Sequence, residues 1–305
     1  MMLSVILCTH NPRPAYLQKT LEALRQQTLP SEQWECILVD NQNLPPLAEG
    51  IDLSRQENAR VVREEMLGLT PARLRGIREA AGDLLVFVDD DNVLDPDYLE
   101  VAVRIAEERP YLGSWSGQCR PHFEEPPPEW TRRYWGNLVI REFDRDVWSN
   151  LPRLADTMPC GAGLCVRRSV ARQYLQLHET SRRFIQLDRT RTSLLSGGDN
   201  DLAACACDIG LGMGIIASLR LMHLIPPERL TEDYLARLAE GIYLSGTILD
   251  YLRIPRAEFA LYRVRWRQYL RALLVKRPHR RIQLACLKGR AKGLKFVEGL
   301  RTGPA

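Results

Sequence analysis

The chain has 305 residues, enough for one large α/β domain with an appendage or for two smaller domains. A hydrophobic fraction of 45% and a charged fraction of 26% describe a globular protein with a sizeable core and exclude a disordered or fibrous one. The formal net charge is only +4, yet fifteen Lys and Arg stand between Arg253 and Arg301 against two acids, Glu258 and Glu298.

Leu3–Cys8 reads as a buried strand, and Tyr16–Gln27 as a helix with Leu17, Leu21 and Leu24 on one face. Cys36–Val39 is a second strand, ending at Asp40, and Arg60–Arg63 a short third. Pro71–Ala81 has Pro in its first turn and Gly82 just past its end, as a helix does. Leu84–Val88 is a fourth strand that runs into Asp89-Asp90-Asp91, and Asp95-Pro96 starts a helix through Glu108. Glu124–Pro128 is acidic and proline-rich, hence an extended loop. Leu164–Val166 reads as a strand and Asp199–Ile209 as a helix closed by Gly210. Beyond Pro226-Pro227 the pattern is helical throughout, over Thr231–Leu252, Arg256–Val275 and Arg281–Gly299.

Strands alternating with helices predict an α/β fold, a mainly parallel sheet flanked by helices on both faces. Ligands of such sheets bind beyond the carboxyl ends of the strands. Thr9-His10-Asn11, Asp40-Asn41 and Asp89-Asp90-Asp91 all stand at such ends, so three polar clusters are expected to meet in one crevice. Adjacent carboxylates repel unless a positive charge compensates, and a hard divalent cation, Mg²⁺ or Mn²⁺, suits an all-oxygen set. An Asp-rich solvated loop is the structural alternative.

The run Gly68, Ala72-Arg73, Gly76, then Asp89-Asp90-Asp91, preceded by Thr9-His10-Asn11-Pro12-Arg13 and Asp40, resembles the core of the family 2 glycosyltransferases. Leu74 departs from the pattern, standing where the family has Asn. Pro159–Gly163 with Val166-Arg167-Arg168 is similar to that family's acceptor-side glycine turn and strand. Ser196-Gly197-Gly198-Asp199-Asn200-Asp201-Leu202 is similar to its Gly-Glu-Asp-x-Asp-Leu motif, with Gly198 replacing the Glu. The resemblance covers about residues 3–225 and implies a GT-A fold for residues 1–225, with 226–305 as a helical basic C-terminal extension.

It further implies an inverting hexosyltransferase that moves a sugar from a nucleotide-diphosphate sugar, a UDP-sugar, to a hydroxyl acceptor in glycan, polysaccharide or glycolipid synthesis. Mn²⁺ or Mg²⁺ would be held by Asp91, Asp89 and His223, and the nucleotide sugar faced by Thr9, Asn11, Asp40, Arg73, Asp89 and Asp90. Asp40 would meet the uracil edge, Asp89 the ribose or a metal-bound water, Arg73 a phosphate oxygen; Asp199 would be the general base, with Asp201 next in line. Each has a structural alternative: a turn residue for Asp40, a helix-surface arginine for Arg73, a buried structural histidine for His223, an N-cap for Asp199.

Trp115, Trp130, Tyr134 and Trp135 are candidates for a sugar-stacking wall, or for core and loop anchors. The first strand is followed by no glycine-rich turn, which weighs against a sugar-nucleotide-forming nucleotidyltransferase and against a dinucleotide-binding dehydrogenase. A non-catalytic carbohydrate- or nucleic-acid-binding protein would leave the aspartates without a task, and no nucleic-acid partner is expected. Eight cysteines in no metal or disulfide framework, no signal peptide and no run of about 18 apolar residues predict a cytoplasmic protein. The basic tail, with Trp266, Tyr269, Leu270, Leu273 and Leu274 at near-helical spacing, predicts peripheral contact with the anionic inner face of the cytoplasmic membrane; a solvated helical face is the alternative.

Overall fold

The computed structural model describes residues 1–51, 53, 56, 58–153, 155–180, 195–254, 259 and 264–302. Its first part runs β1 (Leu3–Thr9), α1 (Pro14–Arg25), β2 (Trp34–Asn41), the single turn α2 (Leu47–Gly50), β3 (Ala59–Glu64), α3 (Leu69–Glu79) and β4 (Leu84–Asp89). β1 and β2 are buried at every residue, which is why they read as continuous apolar runs. They pair in parallel, β1 also pairs with β4 and β2 with β3, and Thr9 stands opposite Asp40 and Cys8 opposite Asp89. The side chains of β1 alternate between the faces. Leu3, Val5 and Leu7 pack with Leu17, Leu21 and Leu24 of α1, whereas Ile6 and Cys8 pack with Ala72 and Ile77 of α3.

The chain continues through β5 (Asn92–Leu94), α4 (Tyr98–Glu108), β6 (Leu112–Phe123), β7 (Val147–Ser149), β8 (Leu164–Arg167), α5 (Arg168–Thr180), α6 (Gly198–Asp208) and β9 (Gly212–Ile225). The sheet order is β3-β2-β1-β4-β8-β6-β9-β5, with β7 on β9. β8 joins β4 antiparallel, and β5 and β7 join β9 antiparallel. After β1 the chain turns to one side for β2 and β3, and it returns to the other side for β4. The crevice between the ends of β1 and β4 is therefore the switch point where open α/β sheets bind ligands.

One expected helix start is corrected. Asp95 does not cap α4: its carboxylate takes both contacts from Arg120 Nη2, and Asp97 occupies the N-cap without a side-chain bond.

By packing, Met1–His122, Val139–Gln186 and Gly198–Ile225 form one unit, and Phe123–Leu138, Leu187–Gly197 and Pro226–Ala305 a second. The second holds a 3₁₀ stretch (Glu129–Leu138) and the helices α7 (Glu232–Arg253), α8 (Trp266–Leu273) and α9 (His279–Thr302). Part of the helix expected over Arg256–Val275 lies outside the described residues. The Thr231 hydroxyl accepts from Tyr234 N at 3.2 Å and fixes the start of α7. α7 and α9 cross closely because α9 presents Gly289 and Gly293. A Cβ at Gly289 would collide with the Glu240 carbonyl oxygen, and one at Gly293 would stand 2.7 Å from Thr247 Cβ. Among the described residues no helix is long and apolar enough to cross a membrane.

Candidate active site

The three polar clusters at the strand ends meet. Thr9 Oγ1 donates to Asp90 Oδ2 at 2.7 Å, joining the end of β1 to the triplet after β4. Asn43 ties β1 to β2: its Nδ2 donates to Thr9 O at 3.0 Å and to Asp40 Oδ1 at 2.7 Å, and its Oδ1 accepts from Asn11 N. Asn11 adopts φ 48°, a left-handed conformation Asn tolerates, and its Oδ1 accepts from Leu44 N at 3.0 Å. His10 Nδ1 lies 2.7 Å from Asn41 O. Asn43 was not among the expected site residues, because nothing local marks an asparagine whose partners come from two strands.

Asp40 departs from expectation. It is 2% exposed, and both oxygens are engaged within the chain. Oδ1 accepts from Asn43 N and Nδ2, and Oδ2 from Leu47 N at 3.0 Å and Arg63 Nη1 at 2.8 Å. In this arrangement it organises the loop rather than presenting an acceptor to a base. Burial pushes the Asp40 carboxyl up, but the Asn43, Arg63 and Leu47 hydrogen bonds outweigh it and hold the group below the usual carboxylate range. Ionised Asp40 therefore stabilises the fold fully above the unfolded-chain pKa of about 4, and that contribution is lost as pH falls through the lower folded value. Asp40→Asn should flatten the acid limb of unfolding free energy against pH. At pH 7 it should cost about 2–3 kcal/mol, at or below the lower end for breaking a buried pair because Arg63 is 34% exposed. An acid limb as steep as wild type would refute this.

Asp90 and Asp91 of the triplet lead to different partners. Asp90 takes the Thr9 hydroxyl. Asp91 is 6% exposed: its Oδ1 accepts from Asn92 Nδ2 at 2.9 Å, and its Oδ2 lies 3.3 Å from His223 Nε2. The pairing of β5 with β9 sets this, placing Asn92 opposite His223, and Leu224 N donates to Asp91 O at 2.9 Å. Two of the three expected metal ligands thus adjoin, while among the described residues no three His, Cys, Asp or Glu side chains gather to hold an ion. The imidazole favours a transition-metal cation, and the carboxylate suits Mn²⁺ or Mg²⁺, the latter taking its remaining ligands from phosphate and water.

Asp199 is the second residue of α6, so the helix begins one residue earlier than expected and the N-cap alternative does not hold. Its Oδ1 accepts from Asn200 N at 2.9 Å and its Oδ2 from Gly161 N at 2.7 Å, binding the helix start to the 159–163 turn. A Cβ on Gly161 would stand 2.9 Å from Asp199 Oδ2 and 3.0 Å from Arg73 Nη2. The bare glycine thus admits a carboxylate and a guanidinium to one small space. Arg73 is 3% exposed, which rules out the helix-surface alternative.

Beneath lie two buried thiols. Burial pushes the Cys160 thiol up; Arg141 and the Ser116 hydroxyl oppose this, and the Asp199 and Asp89 carboxylates add to it. Burial likewise raises Cys119, helped by Cys160, Asp91 and Asp89 and opposed by Arg141. Asp89 and Asp199 thus act on Cys160, and Asp89 and Asp91 on Cys119, while both thiols feel a cation that carries no local signal in the sequence, Arg141. Arg141 pairs its backbone with Cys119 and donates Nη1 to Met158 O at 3.0 Å.

The aromatic wall is corrected in part. Trp115 is fully buried under the Arg167 guanidinium, 5.7 Å from its ring centre, and is a core residue. In the second unit Trp130 and Tyr134 cluster with His279, whose Nδ1 lies 2.8 Å from Tyr134 Oη, and Trp135 packs on Phe123.

Solved structures share this architecture. TarS 1–349 of S. aureus, in complex with UDP-GlcNAc, superposes with a TM-score of 0.53 at 14% identity, over 98% of this chain and 92% of that one. GalNAc-T7 with UDP, GalNAc and Mn²⁺ gives 0.54 at 16% identity, over 82% and 50%. The fold is GT-A, a curled α/β sheet flanked by helices with C-terminal helices added. The glycosyl transferase family 2 model matches residues 4–175, more than half of the chain, and the chain belongs to that family. EpsH of Bacillus subtilis is 32% identical over 107 residues, 34% of this chain; the chain spans only 30% of that relative.

Proposed function

We propose that this chain transfers a hexose from a UDP-sugar to a hydroxyl acceptor with inversion at the anomeric carbon. The observation that carries the reading is a pair of carboxylate stations, Asp91 beside His223 just past the end of β4 and Asp199 with Arg73 about Gly161. The UDP-GlcNAc held by TarS and the UDP and Mn²⁺ held by GalNAc-T7 support the donor and a divalent cation. Asp91 and His223 would hold Mn²⁺ or Mg²⁺, with Asp89 at the end of β4 facing the ribose or a metal-bound water. When bound, the ion supplies positive charge to the diphosphate.

The chain's own groups divide the remaining work. Thr9 and Asn11 sit on the strand-end network at the donor side, with Asp90 fixed by Thr9. Asp199 takes the proton of the acceptor hydroxyl as its oxygen bonds to the anomeric carbon. The bond from that carbon to the diphosphate breaks, and the nucleoside diphosphate leaves with the electron pair. Arg73, confined beside Asp199, adds a fixed positive charge. In this scheme residues 1–225 are the catalytic domain and 226–305 an extension.

We place the extension against the anionic inner face of the cytoplasmic membrane, and the acceptor among glycans or glycolipids. None of the eight cysteines forms a disulfide, which suits a reducing compartment. Incubation with a panel of UDP-sugars and Mn²⁺ should release UDP above background, and at least one donor should raise the melting temperature. No release and no shift with any nucleotide sugar would overturn the assignment.

A further inference from the structure

The second unit contains a cavity unrelated to the acids above. It measures about 290 Å³ and lies among α7, α8 and α9, lined by Tyr243, Gln268, Arg271, Gln283, Cys286 and Arg290 among others. That is the lower end of small-ligand pockets, room for a head group but not for a chain. Its chemistry favours an anion. Burial keeps the Tyr243 hydroxyl and the Cys286 thiol protonated, so neither adds negative charge. Among the described residues neither Arg271 nor Arg290 has a carboxylate partner, whereas Lys288 and Lys292 share Glu240 and Arg281 takes Asp233. Arg290 lies over the Tyr243 ring, 5.5 Å from its centre, which holds the guanidinium in place.

The outer face of α8 is apolar and uncovered. Trp266 is 67% exposed, Leu270 and Leu273 52% each, and Leu274 86%. They recur at i, i+4, i+7 and i+8, one stripe of a helix. Arg267 and Arg271 border one edge of the stripe, and Arg271, itself exposed, also lines the cavity. An apolar stripe bordered by arginines is what an interfacial helix presents to a bilayer.

We propose that the cavity receives the phosphate of an anionic membrane lipid, gripped by Arg271 and Arg290, while Trp266, Leu270, Leu273 and Leu274 lie in the bilayer interface. This rests on the peripheral-membrane reading above and adds to it a head-group site. A phosphomonoester, which carries up to two charges, suits two arginines better than a diester.

The test is sedimentation of the full chain with phosphatidylcholine vesicles containing phosphatidic acid or phosphatidylglycerol, matched in surface charge. Wild type should bind phosphatidic acid vesicles about tenfold more strongly. Arg271→Gln with Arg290→Gln should remove that preference and lower binding about 25-fold, at roughly fivefold per basic residue, with UDP binding unchanged. The Arg271→Lys and Arg290→Lys pair, which keeps the charge, replaces it if circular dichroism shows unfolding, and should lose the preference while keeping charge-driven binding. Equal binding of both vesicles by wild type, or an undiminished preference in the variant, overturns the head-group site and leaves membrane contact standing. Failure of wild type to sediment with any anionic vesicle overturns both. Stabilisation by glycerol phosphate without vesicles, with binding unaffected by Trp266→Ala and Leu274→Ala, makes the occupant a soluble phosphate and overturns the bilayer assignment.

Discussion

Asp91→Asn will lower Mn²⁺-dependent UDP affinity by at least about 100-fold, because even the outer partners of a bound metal are worth 10–100-fold. The side chain is buried, with Asn92 on one oxygen and His223 near the other, so Asn keeps its volume and one acceptor. The fold should survive at a cost of about 1–3 kcal/mol for the imperfectly matched partner. Isothermal calorimetry with UDP, with and without Mn²⁺, reads the effect directly. With a chelator present, wild type and variant should bind UDP alike, since only the metal-linked part of the affinity is removed. An unchanged Mn²⁺-dependent affinity in a folded variant would show that Asp91 and His223 are only a buried structural pair.

Much of this site could be read along the chain because parallel strands buried on both faces leave continuous apolar runs. β1, β2 and β4 announce themselves in that way, and the polar residues that end them, Thr9, Asp40 and Asp89, fall at the switch point by topology alone. β6 and β9 were not legible. Leu112–Phe123 and Gly212–Ile225 mix glycines, arginines and small polar residues with apolar ones, and their pairing is decided by partners distant in sequence. The contact of His223 with Asp91 depends on β9 pairing with β5, so the family resemblance, and nothing in the local pattern, joined histidine to aspartate. Tertiary partners also reassigned acids whose types suggested other tasks. Asp95 was claimed by Arg120, and Asp40 by Asn43, Leu47 and Arg63. Asn43 and Arg141 carry no local signal, since an asparagine in a loop and an arginine after one are ordinary until the strands bring them together.

Asp199→Asn will separate proton transfer from binding. A general base acts on the acceptor proton in the transition state and does not hold the donor. UDP-sugar affinity should therefore survive, while transfer falls by roughly 10²–10⁴-fold, the usual worth of general acid–base catalysis. The structural cost is bounded by the two bonds the carboxylate makes. Its oxygens accept from Gly161 N and Asn200 N, and an amide supplies one acceptor oxygen where the carboxylate supplied two. One backbone N–H loses its partner, about 1–3 kcal/mol, less at a half-buried position open to water. Far-UV circular dichroism and UDP calorimetry on the variant establish that fold and donor site persist; a single-turnover assay then reads the chemical step alone. Loss of donor affinity together with rate would make Asp199 a binding residue, the signature expected of Asp91. Transfer at near wild-type rate would move the base elsewhere, and Asp201, in the first turn of the same helix, is the residue to test next.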